Sequence, residues 1–298
     1  MFMRIDRLQI DLPANVEPDP AAAAIVQELM GGRFGEMSTL NNYMYQSFNM
    51  RGRNDIVPFY DLVASITAEE FGHVELVAAT INLLQNGGVP DGAKPQDAPL
   101  AGLNGGNGIR HQFVNNGHST LAANSMGAPW QGDYVFNSGN LVLDMLHNFF
   151  LESGARMGKL RVYESSNNPV VKRLTGYLLC RGGVHQLAYA VALSKITGVD
   201  VPKMLPIPDI RTDKIPECQE FIQKNLHNTL YRFSPDDYKH IGDVFNGTHP
   251  EDGSPLTVKE GTPDGHPLAD LPPVEATGVP SFDMGEMKEI TARLMRNM

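Results

Sequence analysis

Apolar positions recur at the three-to-four-residue spacing of a helix in four long stretches, about residues 20–49, 55–86, 137–165 and 168–197. Each is longer than an average globular helix. The first two are separated only by a short stretch containing MRGRND, and the last two by SSNNP, where Pro169 suits the first turn of a new helix. Short links make antiparallel hairpins. Between the hairpins runs a Gly-, Asn- and Pro-rich connection, roughly residues 87–136, far longer than a usual bundle loop. Two hairpins and one long crossover predict an all-α, ferritin-like four-helix bundle over residues 1–200.

Beyond Asp200 the pattern breaks. Pro202, Pro206, Pro208, Pro216, Pro235, Pro250 and Pro255 interrupt any long helix, leaving short ones near 214–230, 235–240 and 282–297. Residues 201–298 therefore read as an extended C-terminal tail. It is too apolar in places for a disordered segment, so it is expected to pack on the bundle or on neighbouring subunits.

Composition narrows the class without naming it. The formal charge of −10, spread along the chain and without a Lys/Arg-rich run, argues against a nucleic-acid partner. No window of 18 residues is uniformly apolar, so no membrane span is expected. The start, MFMRIDRLQIDLP, is broken by Arg4, Asp6 and Arg7 and does not read as a signal peptide. Cys180 and Cys218 are too few for a disulfide framework and fit a reducing, cytoplasmic location.

Chemistry enters through carboxylates and histidines that stand in apolar helices. In TAEEFGHVE, Glu70 and His73 lie three apart and share one helix face, as in the Glu-x-x-His unit of a carboxylate-bridged dimetal bundle. Alone, that spacing carries little. Glu36 sits among Phe34, Met37, Leu40 and Met44, where a lone carboxylate would be costly to bury without a partner. Glu152 follows a very apolar run, and His185 lies in an apolar helix. Together the four helices offer three carboxylates and two imidazoles, an inventory that suits two divalent ions. Tyr43 and Lys159 fall seven residues after Glu36 and Glu152, placing a hydroxyl and an ammonium on the ligand faces. His147, five residues before Glu152, is rotated off that face and left out. Gly182 and Gly183, and Gly31, Gly32 and Gly35, are costly in helices and are read as leaving empty space beside His185 and Glu36. A fourth carboxylate is missing, because Gly182 stands three residues before His185. Spacing alone does not choose manganese over iron, so a ferritin-like di-iron oxidase or storage protein fits too, as does a non-enzymatic coat or scaffold protein.

The segments FMRIDRLQIDLP, GGRFGEMSTLNNYMYQSFNMRG, AEEFGHVELVAATIN, YVFNSGNLVLDMLHNFFLE, YLLCRGGVH, KMLPIPDI and LYRFSPDDY resemble the manganese catalases, particularly the thermophilic-type branch, over nearly the whole length. That resemblance implies disproportionation of hydrogen peroxide to water and dioxygen by a non-haem dimanganese centre cycling between divalent and trivalent states. It implies two manganese ions per subunit bridged by solvent, with Glu36 and His73 terminal on one, Glu152 and His185 on the other, and Glu70 between them. Glu70, Lys159 and Tyr43 would serve catalysis. Leu151 and Gly182 replace the Arg and Glu of one branch, and Lys159 matches the lysine of the other. The resemblance also implies a homohexamer with interlocking C-terminal tails. Some members hold calcium at a subunit interface; Asp61 could contribute, but Ser65 stands where those members are acidic.

Overall fold

A computed structural model of the 298-residue chain describes residues 6–13, 16–86, 119–263, 265–271 and 283–296. The first expected helix is two: α1, Pro20–Gly31, and α2, Glu36–Asn49. The break falls at Gly32 and Gly35, both extended, which cap the end of α1 and the start of α2. A Cβ on Gly31 would come within 2.5 Å of the Ala123 backbone, so the returning crossover packs directly on the end of α1. Glu36 becomes the first residue of a helix, where the macrodipole favours negative charge.

The other long helices fall close to their expected bounds: α3, Val57–Asn86, α4, Leu141–Ser165, and α5, Pro169–Thr197. The α1–α2 pair packs antiparallel on α3, and α4 on α5, with α3 against α5 and α2 against α4 closing the bundle. Asn140 caps α4 by accepting from the Val142 and Leu143 amides, and Asn168 caps α5 by accepting from Val170. Asn168 also donates to Asp19, itself the cap of α1, so two helix starts are tied together. Of the crossover, residues 87–118 lie outside the described residues; from Ser119 it lies along α1 and α2, held by Gln27, Glu28 and Asn42.

The tail packs on the bundle. Ile215, Cys218, Phe221, Leu226 and Tyr231 join one core cluster, and Ile207, Leu230, Ile241, Val244, Phe245 and Leu256 the other. Its local structure differs from expectation. The helical stretch near 214–230 shrinks to a 3-10 turn and α7, Gln219–Gln223, which follows the one-turn α6, Val201–Met204. Asn225 in the left-handed region ends that helix, and Thr229–Arg232, rich in strand-favouring side chains, forms β1. β1 pairs in parallel with β2, Thr257–Glu260. No helix forms at 235–240; a single turn, α8, follows at Ile241–Val244. The terminal helix α9, Met284–Met295, lies where expected. Among the described residues no helix is long and apolar enough to cross a membrane.

Candidate metal centre

Four helices bring Glu36, Glu70, His73, Glu152 and His185 into one cluster in the bundle core, each residue at most 1% exposed. Ligand-type atoms of Glu70, His73 and His185 lie within 4.8 Å of one another, and no other such group occurs among the described residues. Both imidazoles turn Nδ1 towards the carboxylates: His73 Nδ1 is 3.2 Å from Glu70 Oε2 and 3.9 Å from Glu36 Oε2. His185 Nδ1 is 2.8 Å from Glu70 Oε1 and 3.5 Å from Glu152 Oε1. Glu70 therefore stands between the two histidines, whose rings stack at 5.5 Å.

Tyr43 donates its hydroxyl to Glu152 at 2.7 Å, reaching across from α2 to α4. Lys159 Nζ lies 2.9 Å from Glu36 Oε1. His147, as expected, is elsewhere: it meets Asn42 and stacks on Phe136. Thr39, unnoticed in the sequence, donates to Glu70 Oε2 at 2.8 Å. Its place three residues after Glu36, on the same face, was the available signal.

Charge makes the cluster's demand plain. Burial opposes a charge on His73, but Glu70 above all, with Glu69 and Glu36, raises it to about 9. His185 is raised well above its ordinary value against the same opposition, by Glu69, Glu152 and Glu70. Burial lifts Glu36 to about 6 while Lys159 pulls it back. Glu70, despite burial, is held well below the carboxylate range by the two histidines. The carboxylates collect positive charge, a demand that divalent cations also meet. Glu70 Oε1, Glu152 Oε2 and His185 Nδ1 make no hydrogen bond, although buried polar atoms almost always do. Convergent, buried and unbonded donors of this chemistry fit metal coordination.

The glycines do not leave empty space. A Cβ on Gly182 would lie 3.1 Å from Arg156 Cγ, and one on Gly183 3.4 Å from Arg156 Nη2. Beside Gly182, where a fourth carboxylate would start, lies the methylene stem of Arg156, whose buried guanidinium Asp209, Gln186 and the Ile210 carbonyl bind. Near the bundle's other end, Asp61 accepts from the His240 amide and Ser65 donates to the Tyr231 carbonyl, so both are engaged by the tail.

A bundle of this topology with paired carboxylates and histidines at its centre defines a ferritin-like metalloprotein. The family model described as "Manganese containing catalase" matches residues 1–298. A manganese catalase of Bacillus subtilis is 33% identical over 204 residues, 68% of this chain and 73% of that one. A manganese catalase of Lactiplantibacillus plantarum is 28% identical over 264 residues, 87% and 91% of the two chains. The solved structure of KatB, a manganese catalase from Anabaena, superposes with a TM-score of 0.55 at 21% identity, covering 80% of this chain and 94% of that one. The chain belongs to the manganese catalase family.

Proposed function

We propose that this protein is a catalase that disproportionates hydrogen peroxide to water and dioxygen at two manganese ions. Glu36 and His73 would hold one ion, Glu152 and His185 the other, with Glu70 shared. The observation that carries the reading is the convergence of these five buried side chains, with both Nδ1 atoms facing the carboxylates. When bound, the manganese pair, bridged by solvent, supplies a store for the two electrons that pass from one peroxide to the next.

The chain's own residues set geometry and protons. Tyr43 fixes Glu152 through its hydroxyl, and Thr39 fixes Glu70. Two protons leave the peroxide that becomes dioxygen and are needed by the peroxide that becomes water. Lys159, whose ammonium lies 2.9 Å from Glu36 Oε1, is suited to hold a proton beside that ligand; Glu70, held well below the carboxylate range, is suited to remain a ligand. Burial opposes the charge on Lys159, but Glu36, Glu152 and Glu70 keep it protonated, so its ammonium donates towards the cluster.

Assembly belongs to the same proposal. Leu143, Leu146, Phe150 and Met157 form an exposed apolar stripe along α4, which supports assembly with this face covered; the count of six rests on the family resemblance alone. Two free, buried cysteines suit a cytoplasmic location. Purified protein loaded with manganese should release oxygen from peroxide, undiminished by azide at levels that stop haem catalases. Two manganese ions per chain with no oxygen release would overturn the catalytic reading, and stoichiometric iron in native protein would favour a di-iron protein.

A further inference from the structure

Glu69, next to Glu70 in α3, is 1% exposed and belongs to neither ligand set. One side of its carboxylate receives a two-pronged contact from Arg181: Nε at 2.5 Å from Oε1 and Nη2 at 2.9 Å from Oε2. The other side meets both histidines, His73 Nε2 at 3.7 Å from Oε1 and His185 Nε2 at 3.3 Å from Oε2. Both Nε2 atoms are buried and make no hydrogen bond, and Glu69 is the carboxylate that they face. A carboxylate has about four lone-pair positions, so one group can serve the arginine fork and two imidazoles together.

Arg181 is itself wholly buried, one helical turn before His185. Its Nη1 donates to the Leu226 and Thr229 carbonyls of the C-terminal tail. A buried ion pair is a poor source of stability compared with apolar side chains of the same volume. Its position against both Nε2 atoms gives it another use.

We propose that Glu69, held by Arg181 and through it by the tail carbonyls at 226 and 229, is a positioning residue shared by both histidine ligands. It accepts the Nε2 proton of each ring, fixes that tautomer, and presents both Nδ1 atoms to the metals. The tail, which supplies no ligand, thereby takes part in building the centre. This inference rests on the proposed metal site.

Manganese binding to the full chain is measured as free manganese(II) by electron paramagnetic resonance, for wild type, Glu69→Gln and the charge-free double variant Glu69→Gln/Arg181→Met. Loss of such an outer partner costs roughly 10- to 100-fold in metal affinity. Glu69→Gln alone leaves Arg181 unpaired and is expected to lose thermal stability as well. The double variant is expected to regain stability but keep the weakened affinity; wild-type affinity in the double variant would overturn the proposal. A second measurement needs no substitution. In wild-type protein loaded with diamagnetic zinc, histidine nitrogen-15 spectra should place the proton of both rings on Nε2 and the metal on Nδ1. The opposite tautomer at either ring would overturn it. Wild-type protein that takes up no manganese would overturn the metal reading and this inference together, whereas uptake with unchanged variants would overturn this inference alone.

Discussion

At the scale of single residues, the centre depends on polar side chains that are wholly buried. Tyr43→Phe keeps the ring against Tyr189 at 5.2 Å but removes the hydroxyl bonded to Glu152. The expected outcome is a stability loss of roughly 1.5–3 kcal/mol, the usual worth of a hydrogen bond to a charged group. Oxygen release should fall about 10- to 100-fold. Unchanged turnover at full manganese occupancy would remove Tyr43 from the catalytic set. Titration away from the metals gives a second test. Burial, with His227 and Arg156, lowers His249 to about 4 against the pull of Asp252. Its folded value lies below its unfolded one, so it contributes stability above about 6.5 that is lost as pH falls towards 4. Denaturant midpoints should decline across that window, and less steeply in His249→Gln.

At the scale of elements, the break between α1 and α2 decides where Glu36 stands. Gly31 allows the Ala123 backbone to lie against the helix end, a contact that no side chain could share. Gly31→Ala should destabilise the protein by about 1–3 kcal/mol, as overpacking of a rigid contact does. Manganese affinity should fall with it if Glu36 shifts; thermal melts and metal titration on the same preparation read both effects. The long helices were legible because their apolar spacing runs over many turns and their caps, Asn140 and Asn168, are local. The contact at Gly31 was not legible, because its partner lies 92 residues away in the chain at Ala123. The same reason explains Gly182 and Gly183: a glycine in a sequence announces room, and only packing tells that the room belongs to Arg156.

At the scale of the whole molecule, the tail and the bundle share both core clusters. Two buried arginines close to ligands, Arg156 after Glu152 and Arg181 before His185, end on tail atoms. The surface points outward to assembly. Phe150, 59% exposed on the α4 stripe, is the position where a charge should do most harm to an interface and least to the fold. If the chain assembles as proposed, Phe150→Glu is expected to lower the sedimentation mass to smaller species with an unchanged helical spectrum; an unchanged mass would place the interface elsewhere.

The sequence by itself determined the long helices α3, α4 and α5 and the shared face of Glu70 and His73, because helical periodicity and a three-residue step are properties of neighbouring positions. Tertiary structure alone decided which nitrogen of each histidine faces the carboxylates, that Thr39 and Glu69 stand behind them, and that the stem of Arg156 lies beside Gly182. Those outcomes depend on the directions of side chains that meet from different helices, and on contacts with a tail whose short elements are set by packing more than by periodicity.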